Sequence, residues 1–161
     1  MSRDCYVYPN TGVLAGTDSV YFSGAAINTA SGARYGEFIE LFNSSSYSGG
    51  GYGAWLTTRL GGLGALTGSY YFLTGGRYRV AFLYNAQQVF ETYTNAFFNI
   101  FAGDYNHLIG SRGLVAEVSS GSIYGYVDVD VAVGYIFSFG VRSPSGIPPI
   151  FTYSRIDITA I

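Results

Sequence analysis

The chain has no lysine, and in 161 residues it holds one cysteine, one histidine, one methionine and one tryptophan. Each scarcity removes a class of function. A lone Cys5 excludes an internal disulfide and a cysteine-based zinc cluster, and it reads as a small buried thiol. The eight arginines, at positions 3, 34, 59, 77, 79, 112, 142 and 155, are scattered singly and form no basic stripe able to displace counterions, so nucleic acid is not expected as a partner. Uncharged stretches such as Leu60 to Gly76 are broken by glycines and hydroxyls, and none supplies the 18 or so apolar residues of a spanning helix, so no membrane is expected either. Met1-Ser2-Arg3-Asp4-Cys5 lacks the apolar core of a signal peptide, which points to a protein made in a cytoplasm.

Charge is scarce as well. Asp, Glu and Arg together make up 11% of the chain against roughly 25% in an average soluble domain, while 48% is hydrophobic and sixteen Tyr and twelve Phe stand beside Trp55. That composition is the reverse of a disordered one. Hydrophobic period two dominates. Val127, Val129, Val131 and Val133 share one face of a predicted strand from Tyr126 to Val133, with Tyr126, Asp128, Asp130 and Ala132 on the other. In the stretch Arg77 to Tyr84, Tyr78, Val80, Phe82 and Tyr84 point one way and Arg77, Arg79, Ala81 and Leu83 the other. Further strands are predicted over Tyr6–Tyr8, Ser19–Ala26, Gly36–Phe42, Ala54–Leu60, Ser69–Leu73, Phe97–Ala102, Leu114–Val118, Tyr135–Phe139 and Phe151–Ala160. No amphipathic helix is evident beyond one turn within Asn85–Thr94. The expectation is an all-β chain folded as a two-sheet antiparallel β-sandwich of jelly-roll type.

The punctuation fits a single domain. Asn43 to Gly53, rich in Ser and Gly, reads as a long surface loop, while Gly103-Asp104-Tyr105-Asn106, Ser119-Ser120-Gly121-Ser122 and Ser143-Pro144-Ser145-Gly146 read as turns. Residues 1–16 form an N-terminal arm in this reading, and residues 17–161 the domain.

From Gly68 onward the order of features resembles the jelly rolls of the galactose-binding-domain-like group, which includes many carbohydrate-binding modules attached to glycoside hydrolases. The matching stretches are Ser69-Tyr70-Tyr71-Phe72-Leu73, then Gly75-Gly76-Arg77-Tyr78-Arg79-Val80-Ala81-Phe82, Phe97 to Gly103, Tyr135 to Phe139, and Arg155-Ile156-Asp157-Ile158. The resemblance implies that Asp157, on the closing strand, helps hold a structural calcium; an outward carboxylate on an ordinary last strand is the competing explanation. No other cofactor is expected.

Catalytic constellations are thin. His107 carries any histidine-dependent mechanism, with Asp104 nearby in sequence, yet a histidine in a turn is the simpler reading. Glu37 and Glu40, three apart on a strand, fall on opposite faces, and Asp128 and Asp130 share a face as an outward, solvated pair. Gly61-Gly62-Leu63-Gly64 and Gly49-Gly50-Gly51 lack the Lys-Ser/Thr of a phosphate loop. A non-enzymatic protein is expected.

The aromatics exceed what one face of each sheet absorbs, so some rings are expected to meet solvent, a sugar or another subunit. Trp55, Tyr52, Tyr93, Tyr105 and Tyr124 are the candidates for a glycan-stacking platform. Arg77, Arg79, Asp128 and Asp130, outward on strands, are candidates for pairing across sheets or at a subunit interface. A surface with so few ions is expected to be covered by neighbours, because a freely diffusing domain usually carries about 25–35% charged surface, and lysine, the common guard of sheet edges, is missing. A small jelly roll of this kind resembles the capsid decoration or cement proteins of tailed-phage virions. The first reading is therefore a virion structural protein acting as a homo-oligomer, with a trimer favoured, on a major capsid or other virion protein. The alternative is a carbohydrate- or receptor-binding module, of the tail-fibre or polysaccharide-binding kind.

Overall fold

Side chains that alternate along a strand give each sheet one apolar face, and two such faces exclude water by closing on each other. The computed structural model describes residues 16–23, 26–29, 34–42, 63–85, 95–115, 122–143 and 153–161. Among them are ten strands and no helix: β1 (Thr17–Ser23), β2 (Ala26–Thr29), β3 (Gly36–Phe42), β4 (Leu63–Phe72), β5 (Gly76–Asn85), β6 (Asn95–Ala102), β7 (Leu108–Val115), β8 (Ser122–Val131), β9 (Tyr135–Ser143) and β10 (Ser154–Ala160). One sheet runs β2-β1-β10-β5-β8 and the other β3-β4-β9-β6-β7, all neighbours antiparallel. Most connections carry the chain from one sheet to the other, which makes the sandwich a jelly roll.

Several strands differ from their predicted extents. Ser19–Ala26 divides into the β1–β2 hairpin, in which Ser23 pairs with Ala26. The strand expected from Ser69 begins at Leu63, because β9 pairs with it as far as Leu63↔Ser143 across an irregularity between Ala65 and Gly68. The strand expected over Leu114–Val118 shares Leu114 and Val115 with β7, which starts at Leu108 because the Gly103–His107 turn folds it straight back on β6; residues 116–118 lie outside the described residues. Val133 departs from the face it was assigned. β8 stops at Val131, and Val133 lies 67% exposed in a tight turn closed by Tyr135 N–H donating to Ala132 O at 3.1 Å, with Gly134 at φ +89°. Tyr6–Tyr8, Ala54–Leu60 and the 1–16 arm up to residue 15 lie outside the described residues, as do Asn43–Gly53 and most of Asn85–Thr94.

The inner faces take up far more aromatic area than the composition argument allowed. Phe38, Tyr70, Phe72, Tyr78 and Tyr35 form a continuous chain of rings with centroids 4.8–4.9 Å apart, and Phe82, Phe98 and Phe137 form a second group at 4.7 and 5.7 Å. Val20, Val80, Ile156 and Ile158, all wholly buried, fill the gaps between them. Gly125 on β8 sits over one of these rings: a Cβ there would come within 3.1 Å of Phe82 Cζ.

One inward position is a carboxylate. The alternation that buries Val20 and Phe22 also turns Asp18 inward, where it is 2% exposed. It accepts hydrogen bonds from the Arg34 N–H at 3.0 and 3.1 Å, from the Tyr35 N–H at 3.2 Å and from the Tyr70 hydroxyl. Four donor contacts replace its water and clamp the approach to β3 against β1 and β4. Burial first, and the Asp18 carboxylate second, push the Tyr70 phenol far above the usual tyrosine range, so it stays a donor. Asp18→Ala would strand the Tyr70 hydroxyl and two backbone N–H groups, and it is expected to lower unfolding free energy by about 3 kcal/mol. A urea titration of the variant checks this; an unchanged midpoint would show the clamp to be idle.

Candidate ligand-binding face

Register decides which outward side chains become neighbours. On the outer face of the β2-β1-β10-β5-β8 sheet, Tyr21 pairs with Arg155, Arg155 with Leu83 and Leu83 with Tyr124. The next row is Ser19, Asp157, Ala81 and Tyr126, and the row after that is Thr17, Thr159, Arg79 and Asp128. Rows lie roughly 6.5–7 Å apart along the strands, and β1 lies roughly 14 Å from β8 across them.

Tyrosines stand at both ends of this lattice. At the β8 end Tyr124 is 77% exposed and Tyr126 57%. The Arg79 guanidinium carbon lies 4.0 Å from the Tyr126 ring centroid, so one face of that ring is backed by a cation. Asp128 holds Arg79 in place with two bonds, Nε to Oδ1 at 2.8 Å and Nη2 to Oδ2 at 3.0 Å. Those bonds hold the Asp128 carboxyl below the usual carboxylate range, against an opposing effect of burial. One row further on, Arg77 Nη1 donates to Asp130 Oδ1 and Oδ2 at 3.1 and 2.9 Å.

At the β1 end Tyr21 and Tyr153 lie 5.8 Å apart, and the Arg155 guanidinium carbon is 5.0 Å from the Tyr21 ring centroid. Arg155 Nε donates to Asp157 Oδ1 at 2.7 Å, and the Ser19 hydroxyl donates to the same oxygen. Burial works against the Arg155 charge, but Asp157 outweighs it, so the guanidinium stays protonated. Calcium does not fit here. The positive charge beside Asp157 is already supplied by Arg155, and among the described residues no three of His, Cys, Asp and Glu come together to hold a metal.

The other candidates fall elsewhere. The Arg77, Arg79, Asp128 and Asp130 side chains satisfy one another within the chain, across β5 and β8. Tyr105 is tied to the opposite sheet: its hydroxyl donates to Glu40 Oε1 at 2.8 Å and meets Ser69 Oγ at 2.8 Å, and its ring packs edge-on against Phe101. Ser69 in turn meets Ser138 at 2.6 Å. Glu40 reaches Tyr105 from a β-bulge at φ 54°, which also upsets the simple alternation assumed for Glu37 and Glu40. His107 and Asp104 do meet, Nδ1 to Oδ1 at 2.8 Å, in the exposed turn between β6 and β7. The Asn106 N–H, and then His107, hold the Asp104 carboxyl low, which is the pattern of an Asx turn. Tyr52, Trp55 and Tyr93 lie outside the described residues. Tyr126, Tyr21 and Tyr153 were not singled out from the sequence, although Tyr126 sits two residues from Tyr124 and so shares its face.

No family model matches the sequence, and no curated protein matches it. Among solved structures, the chain overlaps the CBM35 from Cellvibrio japonicus Abf62 at 12% identity, covering 88% of this chain and 96% of that one, with a TM-score of 0.41. It overlaps a Xyl-CBM35 in complex with a glucuronic acid containing disaccharide at 14% identity, 80% and 93% coverage and a TM-score of 0.40. The Eiger TNF from S. frugiperda overlaps at 12% identity, 91% and 93% coverage and a TM-score of 0.39. No helix among the described residues is long and apolar enough to cross a membrane.

Because the folded Asp128 carboxyl titrates lower than an unfolded one, its contribution to stability is complete above about pH 4 and disappears as pH falls through the folded value. The pair is partly exposed, which limits the loss to about 1 kcal/mol. Thermal midpoints measured from neutral to strongly acidic pH are expected to fall more steeply in the native chain than in Asp128→Asn. Parallel curves would remove the coupling.

Proposed function

We propose that the chain is a non-catalytic binding module that takes a glycan on the outer face of the β2-β1-β10-β5-β8 sheet. The carrying observation is the adjacent pair Tyr124 and Tyr126, both largely exposed on one strand, with Arg79 fixed over one ring. A sugar ring has an apolar face of C–H groups and a polar rim. An exposed tyrosine ring offers a matching apolar face, and strand-borne Arg and Asp groups beside it offer donors and acceptors for the rim. Rings held on strands lose little freedom on binding, which favours affinity.

The same geometry argues against hydrolysis at this face. A glycosidase needs one carboxylic acid with a raised pKa beside a second, free carboxylate. Asp128 is lowered instead, and Asp128, Asp130 and Asp157 are each engaged by an arginine. Assembly, the first reading from composition, loses much of its support because so many aromatics are inside the sandwich.

A second reading keeps an assembly role. Among the described residues β8 is a sheet edge, paired on one side only along its ten residues, and β7, the edge of the other sheet, exposes Leu108 by 43% and Ile109 by 53%. Unguarded edges of this kind recruit further strands or subunits. A homo-oligomer, including the trimer of a virion decoration protein, is one form this takes.

Tyr126→Ala and Tyr124→Ala are each expected to weaken retention in polysaccharide affinity gels by about tenfold or more, roughly 1.4 kcal/mol each, with unchanged melting. Retention equal to that of the native chain would overturn the glycan reading. For the second reading, light scattering after size exclusion is expected to show an oligomer that Ile109→Asp dissociates; a monomer throughout the micromolar range would exclude it.

A further inference from the structure

Resting on the glycan reading, we propose that the ligand is an uncharged oligosaccharide lying across the strands, from Tyr124 and Tyr126 on β8 to Tyr21 and Tyr153 at the β1 end.

Charge selects the class. Among the described residues this face carries three guanidinium groups and three carboxylates in matched pairs: Arg77 with Asp130, Arg79 with Asp128 and Arg155 with Asp157. An acidic sugar seeking a guanidinium would have to displace an aspartate already bonded to it and leave that aspartate uncompensated beside its own carboxylate or sulfate. Both costs fall on an acidic ligand and neither on a neutral one, so discrimination comes from repulsion as well as fit. A neutral sugar uses the pairs unchanged: among the described residues both bonds to Asp157 fall on Oδ1, so Oδ2 is the oxygen to accept from a ligand hydroxyl.

Shape selects the length. The two tyrosine stations stand at opposite ends of four adjacent strands, separated by roughly 14 Å. Between them the row Tyr21, Arg155, Leu83 and Tyr124 joins the two stations directly, with Tyr21, Arg155 and Leu83 half-buried and Tyr124 exposed, whereas the next row closes at Ser19, which is buried. A single sugar ring occupies one station, whereas a short chain occupies both.

The test compares affinity gels containing neutral polysaccharides (a β-glucan, a galactomannan, an arabinoxylan) with gels containing polygalacturonate or alginate, at low and high NaCl. The native chain is expected to be retained by at least one neutral gel, equally at both salt concentrations, and Tyr126→Ala and Tyr21→Ala are each expected to weaken that retention. In competition, the matching oligosaccharide is expected to exceed its monosaccharide by about tenfold or more. Asp128→Asn releases a guanidinium and is expected to gain salt-sensitive retention on the acidic gels. Thermal melts confirm that each variant is folded. Tyr126-dependent retention on acidic gels alone, weakened by salt, would overturn the neutral ligand while leaving the glycan reading standing. Neutral retention indifferent to Tyr21→Ala would overturn the crosswise span. No retention on any gel would overturn the glycan reading itself, and the neutral ligand with it.

Discussion

The pairing of β5 with β8 governs this molecule's presented surface. It runs without irregularity from Gly76↔Val131 to Asn85↔Ser122. Because side chains alternate, a slip of one residue would turn Tyr124, Tyr126, Asp128 and Asp130 into the core and bring Val127, Val129 and Val131 out. The register is held from both sides. Beneath the sheet, Phe82 lies over Gly125, and above it Arg77 and Arg79 reach directly across to Asp130 and Asp128. The tyrosines thus stand on a strand whose position is fixed by the packed interior and by two cross-strand ion pairs together.

Much of this architecture is legible in the sequence, because period-two hydrophobicity is a local signal. Val127, Val129 and Val131 inward, Tyr78, Val80, Phe82 and Tyr84 inward, and Arg77 and Arg79 outward all follow directly from alternation. Non-local pairing is what escapes it. β4 extends back through Gly64 and Gly68 because β9 pairs with it, although the glycines alone suggest an end. Val133 continues the valine pattern perfectly and still belongs to a turn, since Gly134 takes up a positive φ there.

The candidate face is legible only in part, for the same reason. Tyr124 and the two Arg–Asp pairs can be assigned from β5 and β8 separately. The Tyr21–Arg155–Asp157–Ser19 cluster joins the first strand to the last, residues separated in sequence by nearly the whole domain, and no local pattern announces it. Composition also misled in one respect. Twenty-eight Tyr and Phe residues suggested an aromatic exterior, whereas the facing sheets stack many of them into continuous ring chains, and the exposed aromatics among the described residues are Tyr124, Tyr126 and Tyr153.

The position of β10 has a consequence for how the protein comes into being. It lies between β1 and β5, yet it is the last of the ten strands to leave the ribosome. Until then β1 and β5 have no common partner, and the sheet that bears Tyr21 and Tyr126 remains two unjoined pieces with open edges. Such long-range closure folds slowly and leaves sticky strands uncovered during synthesis. The nascent chain therefore acquires the face that carries Tyr21 and Tyr126 in one event, when β10 slots into the gap between β1 and β5.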